Sequence, residues 1–363
     1  MDARRVLARS AGVAVVVAGL SAVPAAVAQG VLAVGPVSAA PGSRASGHLE
    51  VPALGAERGT RVPITVINGS QPGPVLALVA GVHGVEYPPI LALQRLREAI
   101  DPAQVRGALI LVHVANVPSF LGRTIYYSPV DGKNLNRVFP GRRDGTVSER
   151  IADLITREVI ERSTHVIDIH GGDGNESLRP YSYWMTTAAP DVNDASRRLV
   201  LAFGLDHIVI DRERPADPAA SVYLSNTASL RGKPAITVES GALAGTDEAS
   251  IARIERGVRG VMRELGMAPD GPPPVEHPVW IDRNEVLRAK TTGILYPLVE
   301  RGTTVSAGTV LAYVTDFVGA RVEDVRAPFD GEVLYIVGTP PVTAGEPVAF
   351  IGQRAAAPPA AGR

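Results

Sequence analysis

Five short apolar runs recur along the chain: PVLALVAG (74–81), ALILVHVAN (108–116), THVIDIH (164–170), HIVI (207–210) and PAITVES (234–240). They are continuous rather than alternating and rich in Val and Ile, the pattern of strands covered on both faces. Amphipathic stretches such as ILALQRLREAI and SERIADLITREVI lie between them. The clearest helix spans residues 246–267, with Ile251, Ile254, Val258, Val261 and Leu265 on one stripe. Thr246 is placed as its N-cap, and Asp247 and Glu248 fall in the first turn, where the helix dipole favours anions. This alternation specifies an α/β fold with a mixed, largely parallel sheet flanked by helices. HLEVP and RVPITVIN add an antiparallel pair before the first run.

The ends of the chain read differently. Arg4, Arg5 and Arg9 precede the apolar stretch AGVAVVVAGLSAV, and Ala26–Ala28 offers an A-x-A cleavage site before Gln29. That stretch is shorter than the ~20 residues of a spanning helix. Residues 1–28 are therefore expected to be a cleaved signal peptide, giving a secreted or periplasmic protein. Arg4-Arg5 hints at twin-arginine export. Residues 29–45 are expected to be a flexible leader and 46–270 a catalytic domain. After DGPPPVEHP, residues 271–352 form a small all-β domain in which GILYPLVERGTTVSAGTVLAYV and APFDGEVLYIVGTPPVTAGEPVAFIG echo each other. It resembles a biotinyl/lipoyl-type barrel-sandwich hybrid. No lysine follows Lys290, so carrier chemistry is excluded and the module is a lid or a packing partner. Residues 353–363 are expected to be a disordered tail.

A formal net charge of -1 offers no field for nucleic acid or anionic lipid. The absence of cysteine excludes thiolate metal sites and thiol nucleophiles. Any metal must be held by His, Asp and Glu.

Such residues stand at the carboxyl ends of the apolar runs, the edge where ligands bind in open α/β sheets. His83 and Glu86 in GVHGVEYPP follow the first run, and His170 ends THVIDIH. Two imidazoles and a carboxylate suit a catalytic zinc with one open position. Asp168, two residues before His170, either sits behind an imidazole and fixes its tautomer or is a buried carboxylate satisfied by backbone N–H groups. The loop DGKNLNRVFPG crowds together Asn134, Asn136 and Arg137, side chains suited to a carboxylate or a developing oxyanion. Glu239 ends PAITVES in an otherwise apolar run, where partial burial would raise its pKa toward the range of a general base. Tyr181, Tyr183 and Arg179 either touch ligand or pack.

GVHGVEYP, NLNRVFPG, DIHGG and TVESG, in this order and spacing, resemble the succinylglutamate desuccinylase/aspartoacylase family of zinc carboxypeptidase-like hydrolases. The resemblance covers roughly residues 60–352. It implies one Zn²⁺ per chain on His83, Glu86 and His170, with Glu239 as general base. It implies that Arg137, with Asn136, holds a substrate carboxylate or polarises the scissile carbonyl. The arginine that aspartoacylases carry shortly before the Asn-Arg pair falls here in the uncharged YYSPV, and Arg123 lies too far upstream to replace it. The expected activity is hydrolysis of an amide or ester in a small N-acylated amino acid or related substrate. A carboxypeptidase or cell-wall peptide hydrolase, and a non-catalytic ligand-binding protein on the same fold, are the alternatives.

Overall fold

The computed structural model describes residues 30–212, 214–356 and 359. The signal segment lies outside them, as does most of the C-terminal tail. A thirteen-stranded mixed sheet runs through the molecule. Its catalytic part is built on four parallel neighbours in the order Ala235–Glu239, His165–His170, Gln71–Ala80 and Arg106–Val112. Thr60–Asn68 and Ser43–Val51 extend one side as the expected antiparallel pair. On the other side Tyr181–Met185 pairs antiparallel with Ala235–Glu239, and His207–Asp211 continues from it in parallel.

The two faces bury different residues of the same strands. Leu76, Leu78, Ile167, Ile169, Ile236 and Val238 pack in one core cluster with buried residues of the helices Tyr87–Ala99, Pro190–Phe203 and Glu248–Glu264. Ala77, Val79, Val166 and Ala235 pack on the other side, against Val147–Ile155 and Leu224–Ser229. Burial on both faces is why the runs are continuously apolar. Asp168 and His170 share the second face with Val166, since alternate residues of a strand point the same way. That face turns polar only where its strands end.

Several boundaries differ from expectation. Residues 29–45 are not a loose leader: Leu32–Val34 and Val37–Ala39 form a hairpin through Gly35 (φ 54°), and the next strand begins at Ser43. Val34 and Ala39 are buried in the second core, so small residues that read as linker are strand residues with one inward face. The long helix runs from Glu248 to Glu264, with Asp247 rather than Thr246 as its cap, its carboxylate accepting from Ser250 N at 2.8 Å. The tail is ordered past Gly352: the last strand reaches Arg354, and Ala355 N donates to Trp280 O.

The C-terminal β domain has its own core, including Leu295, Leu311, Val314, Val333 and Ile351, between the main sheet and a second, four-stranded one. It is not separately hung. Val279–Arg288 pairs in parallel with His207–Asp211 at its start and antiparallel with Pro347–Arg354 along its length, so one strand belongs to both domains. Tyr181, Val209, Ile281, Leu334, Tyr335 and Phe350 fill the junction. Phe350 is 1% exposed and within ring contact of Tyr181, Tyr183 and Tyr335. Phe350→Ala is expected to cost about 3–5 kcal/mol, the usual penalty for an emptied aromatic site. The check is a lowered midpoint of chemical unfolding with both domains melting together.

Candidate metal centre and active site

The parallel register brings the site together. Ala80, His170 and Glu239 end adjacent strands, and Glu239 is paired with His170. Beyond Ala80 the chain turns through Gly81 (φ 68°), where an added Cβ would lie 3.0 Å from Val114 Cα. Gly84 presses its backbone on Ser119, so that a Cβ there would sit 2.2 Å from a carbonyl oxygen. These two glycines let His83 turn back over the sheet edge. Glu86 occupies the N-cap position of Tyr87–Ala99, but its side chain makes no capping hydrogen bond. Its carboxylate turns inward instead and is 1% exposed.

That carboxylate lies 2.9 Å from His83 Nδ1 and 3.1 Å from His170 Nδ1. The three residues each offer a ligand atom within 4.8 Å of the others. The far nitrogens are engaged elsewhere: His83 Nε2 with Asn134 Oδ1 at 3.2 Å, and His170 Nε2 with Asn136 Nδ2 at 3.2 Å, with Asp168 Oδ1 3.0 Å away but not hydrogen-bonded to it. In the neutral His83 ring, Asn134 Oδ1 selects the Nε2–H tautomer and leaves the Nδ1 lone pair facing Glu86, the arrangement a metal ligand needs.

Electrostatics agree. Burial pulls the pKa of His83 down, but Asp173 and Glu86 push it up to about 10. His170 is likewise depressed by burial and raised overall, by Asp168 and Glu86. Glu86 Oε2 is buried without a hydrogen-bond donor. A buried pocket so rich in carboxylate calls for positive charge, and the donor set of two imidazole nitrogens and a carboxylate fits a divalent cation.

Around this centre lies a cavity of about 160 Å³. Glu239 enters it with Oε2 accepting from Gly172 N at 3.3 Å. Burial carries its pKa to about 8; His170 pulls against that, while Glu86 and Asp173 add to it. Arg137 lies in the wall, its guanidinium donating to Asn136 O and lying 4.6 Å from the Tyr223 ring centroid. Arg214 stacks on the same ring at 3.8 Å.

His83, Glu86, His170, Glu239 and Arg137 are thus brought to one place. The two asparagines take other parts from the substrate binding expected of them. Asn134 spends its carbonyl oxygen on His83 and on Asn136 N. Asn136 lines the cavity but is 7% exposed, donating to Asp168 and accepting from Leu224 N. Both contact the histidines of the candidate centre, Asn134 at His83 and Asn136 at His170, and tie down their own loop. Asp168 lies behind His170, 3.0 Å from its Nε2, but the hydrogen bond to its carboxylate comes from Asn136 Nδ2 rather than from the ring. Tyr181 and Tyr183 line the cavity, whereas Arg179 pairs with Asp206 and Glu332 away from it. Arg123 caps the short helix Val117–Gly122.

Sequence reading missed Tyr126, Asp173, Glu176, Arg214, Tyr223 and Arg288, all of which line the cavity. Asp173 and Glu176 follow DIHGG closely, and two acids just beyond a metal-type histidine were a usable signal. Arg214 and Arg288 come from distant segments and carried none. Tyr126 lies in YYSPV, so the stretch without the family's arginine faces the site with a phenol.

The molecule so defined has the fold and site of a deacylating hydrolase. The succinylglutamate desuccinylase/aspartoacylase catalytic domain matches residues 72–265, a segment holding every residue from His83 to Glu239 discussed above. The chain belongs to that family. It is 31% identical over 301 residues, 80% of this chain and 85% of its relative, to the N-alpha-acetyl-L-2,4-diaminobutyric acid deacetylase of Halomonas elongata. Among solved structures, the ectoine utilization protein EutE (DoeB) of Ruegeria pomeroyi with bound product superposes with a TM-score of 0.75 at 27% identity, covering 85% of this chain and 95% of that one. A succinylglutamate desuccinylase/aspartoacylase structure from Rhodobacter sphaeroides shares the fold with a TM-score of 0.76 at 24% identity, over 86% and 96% of the two chains.

Replacing Asp168 by Asn removes the carboxylate charge 3.0 Å behind His170 and is expected to weaken the site's affinity for a divalent cation about 10–100-fold. Competition of the purified variant against a chromophoric chelator measures this, with unchanged affinity as the contrary result.

Proposed function

We propose that the protein is a zinc-dependent deacylase that hydrolyses the amide of a small N-acylated amino acid, with Glu239 as its general base. The observation that carries this reading is the placement of Glu239, a buried carboxylate of raised pKa beside a His–Glu–His set at the carboxyl edge of a parallel sheet. A binding protein needs the ligand set or the arginine but has no use for a proton carrier between them.

Zinc held by His83, Glu86 and His170 would supply Lewis acidity and bring the pKa of water down from 15.7 toward about 7. The protein's own groups do the rest. Glu239 accepts the proton of the attacking water as its oxygen adds to the acyl carbon. It returns that proton to the leaving nitrogen as the C–N bond breaks, so that carboxylate and amine leave. A pKa near 8 in the uncharged site, drawn lower by a cation beside it, suits a group that must both take and give a proton. Arg137 presents a planar donor fork to the substrate carboxylate, held on its inner side by Asn136 O and Tyr223.

The cavity volume favours a small substrate over a peptide chain. The relative in Halomonas elongata is named for removing an acetyl group from an α-amino nitrogen, which supports acetyl or another short acyl group here. Glu239→Gln is expected to lower turnover of N-acetyl amino acids by at least about 10²-fold while retaining zinc. His170→Ala should lose the metal itself. Elemental analysis beside an amine-release assay separates the two, and a folded wild type without zinc or turnover would end this reading.

Export belongs to the same proposal and rests on the n-region arginines, the short apolar stretch and the Ala26–Ala28 site. The mature protein is expected outside the cytoplasm with Gln29 at its N-terminus, as read by terminal sequencing. A cytoplasmic chain that keeps residues 1–28 would refute it.

A further inference from the structure

A second cavity, of about 640 Å³, lies where the segment after Glu239 meets the C-terminal domain. Residues 178–180, the loop 241–245, the start of the helix Glu248–Glu264 and Arg301 line it. It shares no lining residue with the catalytic cavity. Its lining holds three arginines and one carboxylate. Arg179 is answered by Asp206 and Glu332. Asp247 caps the helix, its Oδ1 accepting from Ser250 N at 2.8 Å. Arg253 and Arg301 form no ion pair among the described residues. Arg253 is half-buried, and burial lowers its pKa; Arg256 and Arg301 act the same way, against Asp247 and Asp206.

Both guanidiniums are anchored through one nitrogen. Arg253 Nη1 donates to Ser240 Oγ at 3.2 Å and to Ser250 Oγ at 3.4 Å, and Arg301 Nη1 crosses to Leu178 O at 2.9 Å. Their Nε and Nη2 donors have no partner among the described residues. A guanidinium held in this way presents its remaining donors as a rigid fork, the geometry that carboxylates and phosphates accept. The loop lining the cavity is strained: Leu243 and Ala244 stand at φ 52° and 50°, in the left-handed region that residues with a Cβ seldom occupy. Such conformations concentrate where the chain surrounds a ligand. The cavity also lies between two domains, a usual place for a binding site. We infer that Arg253 and Arg301 form a binding site for a small oxyanion, a carboxylate or a phosphate, outside the active site. Arg253 belongs to the catalytic domain and Arg301 to the C-terminal one, so the ligand ties the two together and replaces repulsion between the guanidiniums by attraction to itself. The site goes beyond the deacylase reading and does not depend on it, since the anion neither gains nor loses a bond.

The test titrates the purified full chain calorimetrically with inorganic phosphate, with succinate and with acetate, the ionic strength held constant with sodium chloride. The wild type is expected to bind at least one of them saturably, and its melting temperature should rise with the same anion. Arg253→Gln and Arg301→Gln should each weaken that binding about 10–100-fold, the scale of one charged hydrogen-bonded contact. Arg301 is exposed, so Arg301→Gln keeps the test open should Arg253→Gln fail to fold. Arg137→Gln, at the catalytic cavity, should leave the binding unchanged. Binding of phosphate without succinate or acetate supports the site and assigns it to phosphates; the reverse supports it and assigns it to carboxylates. No binding beyond that of chloride overturns the site. So does binding that Arg137→Gln abolishes and Arg301→Gln leaves intact, since it belongs to the catalytic cavity.

Discussion

Buried negative charge is the constraint on which the rest of this molecule turns. Glu86, Asp168, Asp173, Glu176 and Glu239 converge on two imidazoles in a region almost closed to water. Without compensation such a group of carboxylates would cost several kcal/mol per ion. Two devices relieve it. Asp168 accepts from Asn136 Nδ2, and Glu86 lies against two imidazoles whose pKa the surrounding carboxylates raise, so that protonated rings answer its charge. The others face the cavity, where a metal ion and a substrate would complete the balance. Stability is given up at this edge for readiness to bind charge, a common trade at functional sites.

Much of this was legible in the chain because parallel strands leave an unmistakable trace. Continuous Val/Ile runs identified the central strands, and polar residues closing those runs identified His170 and Glu239. The glycine pair around His83 marked a backbone forced close to its neighbours, at Val114 and Ser119. What stayed hidden depends on tertiary contact. Asn134 and Asn136 announced a functional loop, but nothing local to that loop says that their oxygens and nitrogens face His83 and Asp168 rather than a ligand. The leader was misread because short strands of Val, Ser and Ala have the composition of a linker, and only the second core shows which of them point inward. The helix cap moved by one residue because Asp and Thr are near-equivalent caps and only geometry chooses between them.

The C-terminal domain shows how a repeated β module acquires a part in catalysis without chemistry of its own. The absence of any lysine after Lys290 argued against a carrier role, and the shared strand Val279–Arg288 supplies the alternative. Pairing with His207–Asp211 fixes that strand against the catalytic sheet, and its far end carries Val286 and Arg288 to the cavity. Tyr335 and Pro347 arrive on the neighbouring strands. The module is therefore wall rather than ornament, and the Phe350 junction holds that wall beside the cavity that His83 and His170 line.

That wall also bears on what the site accepts. Burial raises the pKa of Tyr181, Tyr183 and Tyr335 above the usual phenol value, so all three remain neutral at physiological pH. Neutral hydroxyls and aromatic faces then line the cavity together with the guanidiniums at Tyr223 and the carboxylates Asp173 and Glu176. Were the charges interleaved, arginine and carboxylate would pair with each other and present a neutral surface. Of the two guanidiniums, Arg214 is paired in this way with Asp211, whereas Arg137 makes no ion pair among the described residues and keeps its charge for a ligand.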